Sequence, residues 1–156
     1  MLKIEDNSPQ VRFPPPFVFL GFLLLGLLAD RLFGLDYGAP AAVRIIGGIA
    51  AAVAVGLVGA ALGLFRRAGN NPEPWKETGT LITNGVYRFT RNPMYLAMAL
   101  LHLGIAMILA SPGAVVGLLL AVIVIDRAVI AREEAYLARV FGADYNAYRL
   151  KVRRWL

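Results

Sequence analysis

Four long apolar stretches constrain the fold of this chain more than any other feature of its sequence. A bilayer core of about 30 Å is crossed by roughly 17 to 25 mostly apolar helical residues. The apolar stretches cover about residues 16–33, 42–65, 93–110 and 114–131, and the last two are separated by a Ser-Pro-Gly turn. The sequence therefore predicts an all-α integral membrane bundle of four transmembrane helices, folded as a single domain over residues 1–156.

The composition supports a membrane protein and excludes several kinds of site. Hydrophobic residues make up 58% of the chain, far more than in a soluble protein of this length. The absence of cysteine excludes disulfide scaffolds, cysteine metal sites and thiol nucleophiles, and the single histidine, His102, excludes a multi-histidine metal centre. We therefore expect no metal site.

The N-terminal apolar run does not have the features of a cleaved signal peptide. It starts only after Pro14–Pro16, and the preceding segment mixes Lys3 and Arg12 with Glu5 and Asp6. No small-residue cleavage site follows it. The sequence therefore predicts that this run is a retained membrane anchor.

The distribution of basic residues predicts the orientation in the membrane. The net charge of +6 could by itself indicate nucleic acid, anionic lipid or an anionic ligand. Five Lys or Arg residues lie within Arg66–Arg91 and six lie from Arg132 onward, whereas Ser111–Gly113 has none. The positive-inside rule then places both termini and the middle loop in the cytoplasm. Because the basic residues follow the membrane face, we expect no nucleic-acid partner.

The second apolar stretch contains Gly47, Gly48, Gly56, Gly59 and Gly63, and the last two have the spacing G-x-x-x-G. Small residues at this spacing allow membrane helices to approach closely, so we predict helix packing at these positions. No G-x-G-x-x-G follows a strand pattern, and a Rossmann-type nucleotide site is therefore not supported.

The segment before the third helix carries the first group of candidate functional residues. Asn92 is a suitable N-cap and Pro93 a suitable first helical residue, so unpaired backbone N–H groups should face the cytoplasmic interface and favour an anion. Arg88 and Arg91 add positive charge beside this helix start. Tyr87 and Tyr95 would supply ring faces and hydroxyl groups. The alternative is an interfacial belt of aromatic and arginine side chains.

A second group lies on the fourth helix and its continuation. Asp126 and Glu133 are seven residues apart, as are Arg127 and Glu134, so each pair should share a helix face. Carboxylates near a helix C-terminus oppose the helix dipole, which favours a cationic partner such as Arg127, Arg132 or a ligand ammonium. The alternative for the glutamates is a solvated interfacial turn. Asp126 and Arg127, inside a span, are predicted to be functional or to pair with each other as a buried pair.

His102 lies about 14 Å along the third helix from Pro93, at 1.5 Å per residue. We predict that it is a hydrogen-bonded packing residue, with a role as general base as the alternative. The C-terminal residues, rich in tyrosine, arginine and lysine and including Trp155, predict an amphipathic interfacial segment that anchors to the membrane surface. A lid over a cofactor pocket is the second interpretation of this segment.

The two groups together predict a cytoplasmic pocket for a zwitterionic cofactor. The helix start favours a carboxylate and the glutamate pair favours an ammonium, beside a membrane interior. S-adenosylmethionine carries both groups.

Two motifs resemble those of the isoprenylcysteine carboxyl methyltransferase and phospholipid methyltransferase superfamily of integral membrane enzymes. They are GVYRFTRNPMYL, from Gly85 to Leu96, and REEAYLARVFGADYNAYRLKVRRWL, from Arg132 to Leu156. The resemblance covers the C-terminal half of the chain, from about Asn70. The first two helices match only as generic spans.

The resemblance implies an S-adenosylmethionine pocket and assigns residues to it. The implied cofactor-binding residues are Tyr87, Arg91, Asn92, Pro93, Tyr95, Leu96, Glu133 and Glu134. The chain departs from the family at Asn92, where many members have histidine, so a function that needs a protonated imidazole is lost. Arg127 corresponds approximately to the arginine that holds the substrate in carboxyl methyltransferases. The implied catalytic residues are Arg127 and Glu134.

The sequence thus predicts a methyltransferase that uses S-adenosylmethionine and acts on a lipophilic or membrane-embedded acceptor, among membrane lipids. Positioning and desolvation provide most of the rate of such a transfer. A carboxylate or thiolate acceptor needs no base, whereas a phospholipid amine such as phosphatidylethanolamine would have to lose a proton to Glu133, Glu134, Asp126 or His102. The absence of an obvious base favours the carboxylate or thiol of a prenylated or small substrate, with phospholipid N-methylation as the alternative. An NADPH-dependent membrane reductase of related fold and a non-catalytic membrane protein are the alternatives of other classes.

Overall fold

A computed structural model describes residues 9, 11, 13–35, 38–70, 76 and 78–156. Within these residues the chain is helical or irregular and has no β-strand, in agreement with the predicted all-α class. The residues on which the prediction of a retained N-terminal anchor depends, Lys3, Glu5, Asp6 and Arg12, lie outside the described part. The prediction of two cytoplasmic termini stays a prediction.

The helices follow the four apolar stretches closely. Helix α1 covers Pro15–Phe33, α2 Ala41–Arg67, α3 Pro93–Ile108 and α4 Pro112–Ile125, and a polar helix α5 covers Ala131–Lys151. A single π turn, Asp126–Ile130, joins α4 to α5, so that the three elements form one 40-residue helix. The fourth apolar stretch therefore continues into α5, which is kinked at Gly142, where φ is 50°.

Three helices of the described part are long and apolar enough to cross a membrane: α1, α2 and the 40-residue helix. The chain is therefore an integral membrane protein by the length and composition of its helices. Helix α3, at 16 residues, is apolar but shorter, about 24 Å at 1.5 Å per residue. We treat the part of the 40-residue helix before Ala131 as its membrane-spanning part, because the residues beyond it are mostly polar.

The end of α3 at Ile108 explains why the predicted span to residue 110 is too long. The N–H of Ser111 donates to the carbonyl of Ala106 and that of Ala110 to Met107, with Ala110 in the left-handed region at φ 52°. These bonds form a Schellman motif, which ends the helix. Ser111 then starts α4, because its hydroxyl oxygen accepts the N–H of Ala114.

The chain divides into two compact units. One, here called the apolar unit, consists of Pro15–Gly56 and Tyr95–Ile125. The other, here called the basic unit, consists of Met1–Pro14, Leu57–Met94 and Asp126–Leu156. Each unit has its own packing and its own polar network.

Glycine backbones form the helix contacts of the apolar unit. A Cβ added to Gly47 would lie 2.7 Å from the carbonyl oxygen of Gly104, and one added to Gly26 would overlap the backbone of Gly113. The predicted close packing of glycines is therefore confirmed at Gly47. It is wrong at Gly48, Gly56, Gly59 and Gly63, where no atom of the described residues lies within 4 Å of an added Cβ. Glycine allows close approach only where a second backbone faces it, and spacing alone does not reveal this.

Polar side chains of the apolar unit make hydrogen bonds to backbone N–H and carbonyl groups, mostly at helix ends. The carboxylate of Asp30 accepts the hydroxyl of Ser111 and the N–H of Gly113, at the start of α4. Arg44 donates to the carbonyl of Ile108, at the end of α3, over 2.7 Å. His102 is buried, with Nε2 2.9 Å from the carbonyl oxygen of Ala114, which confirms its prediction as a hydrogen-bonded packing residue.

Candidate functional site

The first motif begins with a tight turn that packs on the end of α2. Residues Gly85–Arg88 form a single 3₁₀ turn, and Gly85 has φ 57°, a value that favours glycine. A Cβ at Gly85 would also lie 2.8 Å from a methyl carbon of Leu64. The ring of Tyr87 packs against Phe65, with 6.0 Å between ring centres. The turn is therefore fixed beside the last apolar residues of α2.

Tyr87, the third residue of this turn, is buried. Burial raises the pKa of its phenol, with a smaller contribution from the negative charge of Glu133, so the group stays neutral at physiological pH. The hydroxyl of Tyr148, on α5, donates to the carbonyl of Tyr87 over 2.6 Å. Burial likewise raises the pKa of Tyr145, to about 12. The aromatic side chains therefore join α5 to the motif as neutral groups.

Glu134 lies at the centre of the polar network in the basic unit. Its Oε1 accepts two bonds from Arg91, at 3.1 Å from Nε and 2.6 Å from Nη2, and its Oε2 accepts Nη2 of Arg154 at 2.5 Å. Burial alone would raise the pKa of this carboxyl, but the hydrogen bonds and charges of Arg154 and Arg91 lower it below its usual value. Glu134 is therefore a carboxylate held between two guanidinium groups.

Arg154 joins Glu134 to a second carboxylate. Its Nη1 lies 3.0 Å from Oδ2 of Asp126, and the indole N–H of Trp155 donates to Oδ1 of the same residue over 3.0 Å. The hydrogen bond to Glu134 is the main cause of a raised pKa at Arg154. Arg154 therefore neutralises part of the negative charge of Glu134 and Asp126, and Trp155 donates a hydrogen bond to Asp126.

The last residues of the chain, 149–156, are here called the C-terminal segment, and they run beside the first motif. The backbone N–H of Arg91 donates to the carbonyl of Arg153 over 3.0 Å, and the carbonyl of Arg154 accepts the side chains of Thr90 and Asn92. Arg91 also donates through Nη1 to the carbonyl of Val152 over 2.6 Å. The C-terminal segment is therefore bonded to the residues that precede α3.

Five predicted site residues lie in the basic unit in the neighbourhood of this network: Tyr87, Arg91, Asn92, Pro93 and Glu134. Glu133 is half-buried on α5 in the same unit. Tyr95 and Leu96 belong to the apolar unit, two and three residues beyond the start of α3. Whether any of them binds a cofactor stays a prediction.

Asp126 and Arg127 form an ion pair, as predicted, but the pair is not buried. The side chain of Arg127 is 84% exposed and its Nε lies 3.7 Å from Asp126, whose closer partners are Arg154 and Trp155. Glu134 pairs with Arg91 and Arg154 rather than with Arg127, the residue that the spacing places on its face. The cause is the π turn, which adds about one residue to a helical turn and rotates the following face by about 100°. A seven-residue spacing across this turn therefore does not place two side chains on one face.

Sequence reasoning missed the bonds made by Arg154, Trp155 and Thr90. One feature of the sequence indicates these bonds. Asp126 and Glu134 need cationic partners, and the C-terminal residues are rich in arginine and lysine. The sequence of these residues favours an amphipathic segment at the membrane surface, with a lid as the second interpretation. The structure shows that Arg154 and Trp155 turn inward to the carboxylates.

Comparisons with known proteins agree with the methyltransferase resemblance. The sequence profile of a family described as phospholipid methyltransferase matches residues 43–144, which include both the residues before α3 and the glutamate pair. An uncharacterised protein of Haemophilus influenzae is 43% identical over 63 residues, which are 40% of this chain and the whole of that protein. No solved structure matches the chain significantly. On the match to its profile, this chain belongs to the phospholipid methyltransferase family.

Proposed function

We propose that the chain is an integral membrane methyltransferase that uses S-adenosylmethionine and acts on a lipophilic acceptor, similar to isoprenylcysteine carboxyl methyltransferases. The observation that carries this proposal is the contact between Arg91 and Glu134 within the matched region. These residues are 43 positions apart and belong to the two motifs of the resemblance. Their ion pair joins the two motifs in one unit.

The residues around this ion pair fit the charges of the cofactor. S-adenosylmethionine supplies a methyl group on a sulfonium, together with an ammonium and a carboxylate. We assign the ammonium to Glu133, because it belongs to the glutamate pair of the second motif and is half-buried one position before Glu134. We assign the carboxylate to the exposed Arg88 and the N-terminus of α3, because Arg91 is occupied by Glu134 and by backbone carbonyls. Neutral Tyr87 would add apolar surface.

The protonation states in the basic unit favour an acceptor that needs no base. Glu134 is a poor base because two arginines hold it in the charged form and lower its pKa. Asp126 is bonded to Arg154 and Trp155. His102 belongs to the apolar unit and is bonded to a backbone carbonyl. A carboxylate or thiolate could attack the methyl group in line without losing a proton to any of them.

Phospholipid N-methylation is the second candidate, and the description of the matched family favours it. An amine acceptor such as phosphatidylethanolamine must lose a proton, and Glu133 is the carboxylate we assign to receive it. The two candidates therefore differ in their dependence on Glu133. With a carboxylate acceptor, Glu133→Gln should weaken cofactor binding alone, whereas with an amine acceptor it should also lower kcat at saturating cofactor.

Binding of the cofactor is the first test. Calorimetry of detergent-purified protein should detect S-adenosylmethionine and its demethylated product, and Glu133→Gln should weaken binding on the order of tenfold, as expected for loss of one charged hydrogen bond. Asp144→Asn, which changes an exposed carboxylate on the same helix, should leave affinity unchanged. Absence of binding by folded protein, or binding of NADPH instead, would contradict the proposal and favour a non-catalytic protein or a reductase.

The acceptor is then identified by transfer of a labelled methyl group. Isoprenylcysteines, small thiols and phosphatidylethanolamine are presented in the same detergent, and the label is followed into each product. Alkaline hydrolysis separates a methyl ester from an N-methyl or S-methyl product. Arg127→Gln tests the implied substrate residue, and we expect it to raise KM for an anionic acceptor without changing cofactor affinity.

A further inference from the structure

The net positive charge of the chain lies entirely in the basic unit. Fourteen of the sixteen Lys and Arg residues and eight of the ten Asp and Glu residues belong to it, which gives +6, whereas two of each give zero in the apolar unit. Four of the basic residues lie exposed at or near the junction of the first motif and the C-terminal segment: Arg88, Arg149, Lys151 and Arg153. A local excess of exposed basic side chains attracts an anionic surface.

Four large apolar side chains of the described residues are exposed in the same unit, outside the membrane-spanning parts of its helices: Val140 on α5, and Phe89, Leu150 and Leu156. Phe89 is 74% exposed, Leu150 89% and Leu156 72%. Exposed apolar side chains on a spanning helix face lipid and need no other explanation, but these three follow a turn or lie at the end of the chain. They require a different apolar environment or a partner.

Hydrogen bonds to backbone carbonyls bring the segments that carry these side chains next to each other. Arg91 donates to the carbonyl of Arg153, and Thr90 to that of Arg154, so Phe89 lies next to the residues that pair with the C-terminal segment. Leu150 follows Arg149, whose carbonyl accepts Arg91. The exposed apolar and basic residues of these two segments, apart from Arg88, are here called the interfacial patch: Phe89, Arg149, Leu150, Lys151, Arg153 and Leu156.

The interfacial patch lies near the border of a membrane-spanning helix. The 3₁₀ turn just before Phe89 packs through Gly85 and Tyr87 on Leu64 and Phe65, in the last turns of α2. Because α2 ends at Arg67, this contact places the turn at the level where the apolar span gives way to charge.

We propose that the interfacial patch binds the anionic headgroups of the surrounding membrane, with Phe89, Leu150 and Leu156 inserted at the acyl boundary. Basic residues interleaved with apolar ones at a membrane border suit an anionic lipid surface better than an acidic peptide, which would leave the leucines exposed. The C-terminal segment then has two sides. Its carbonyls and Arg154 bind the residues before α3, and its exposed residues bind lipid. Lipid charge should therefore strengthen the attachment of this segment to the first motif.

This inference is independent of the methyltransferase proposal, and the indole of Trp155 can test it. The chain has two tryptophans, so Trp75→Phe leaves Trp155 as the sole tryptophan fluorophore. The variant is reconstituted in bilayers that contain a small fraction of brominated phosphatidylglycerol or, in parallel, the same fraction of brominated phosphatidylcholine. Bromine quenches indole fluorescence at short range, so the ratio of the two quenching efficiencies measures enrichment of anionic lipid beside Trp155.

We expect brominated phosphatidylglycerol to quench more strongly, by about fivefold at low salt, the factor that one basic side chain provides near an anionic surface. High salt should reduce this preference. Arg149→Gln/Lys151→Gln should abolish most of it, whereas Arg66→Gln/Arg67→Gln, an equal change of charge at the end of α2, should not. Equal quenching by both lipids in the parent, quenching by neither, or equal effects of the two double variants would each overturn the inference.

Discussion

The two units of this chain use polar side chains for different purposes. In the apolar unit, Asp30 and Arg44 bond to backbone groups at the ends of α4 and α3, and the helices approach through glycine. In the basic unit, Glu134 and Asp126 bond to guanidinium groups and thereby join segments that are distant in sequence. Polar side chains of both units thus join segments that are distant in sequence, but they bond to the backbone at helix ends in the first unit and to charged side chains in the second.

The largest effect should follow from Glu134→Gln in the basic unit. The substitution leaves Arg91 and Arg154 close together without a carboxylate between them, at side chains that are 10% and 33% exposed. We expect a loss of about 3 kcal/mol of unfolding free energy, the usual cost of removing one partner of a buried charge pair. Equilibrium unfolding of the detergent-solubilised protein by dodecyl sulfate, followed by circular dichroism, measures it.

Asp144→Asn is the matched control for this substitution. Asp144 is an exposed carboxylate ten residues further along the same helix, so its loss should change stability by less than about 0.5 kcal/mol. Equal effects of the two substitutions would mean that the ion pairs of Glu134 do not stabilise the basic unit, and the contrast between the two units would fail.

In the apolar unit the largest effect should come from Gly47→Ala. The new methyl group would meet the carbonyl oxygen of Gly104 at 2.7 Å and Cβ of Met107 at 2.8 Å, so the helices must separate. We expect a loss of about 2 kcal/mol from this overpacking. Gly48→Ala changes the next residue of the same helix, where nothing lies within 4 Å, and should stabilise the helix slightly. The pair is compared by the same unfolding titration, and similar losses for both would exclude backbone contact as the cause.

A smaller effect should follow from Asp30→Asn. The amide can still accept one hydrogen bond at the start of α4, but it loses the negative charge that interacts with the helix dipole and with the N–H of Gly113. We expect a loss of about 1 kcal/mol. Arg31→Gln, an exposed neighbour, is the control, with an expected change close to zero. A loss as large as that of Glu134→Gln would show that Asp30 does more than cap a helix.

The apolar stretches predicted the helices because hydropathy and length determine where a spanning helix forms. The errors lie at positions where a single backbone conformation decides the result. Ala110 enters the left-handed region and ends α3 early, and the π turn at Asp126–Ile130 rotates the face that follows. Neither the left-handed residue nor the π turn has a pattern of residues by which it could be recognised in a single sequence. The predicted shared face of Arg127 and Glu134 failed for this reason.

The sequence predicts which residues form the candidate site, but not which residues pair with Glu134. The residues from Tyr87 to Pro93 and Glu134 were identified from spacing and resemblance, and the structure brings Arg91 and Glu134 into contact. The opposing cations Arg91 and Arg154 were not identified as partners of Glu134. The pairing of Glu134 with Arg154 depends on the return of the C-terminal segment, and that with Arg91 on the packing of α5 beside the first motif, whereas charge composition shows only that some cation is needed.

The smallest expected effect concerns pH and applies to the basic unit. The pKa of Glu134 is lower in the folded protein than its ordinary value of 4.5, despite burial that would raise it, because Arg154 and Arg91 favour the charged form. Pairing therefore stabilises the unit fully above about pH 4.5, and this contribution is lost as the pH falls through the lowered value. Fluorescence of Trp155 in the Trp75→Phe protein should stay constant from about pH 8 to pH 5 and change only in more acidic solution. Glu134→Gln in the same background should already differ at neutral pH. A transition between about pH 5 and pH 7 that Glu134→Gln removes would mean that burial outweighs the two arginines, and the carboxylate would then be available as a base for an amine acceptor.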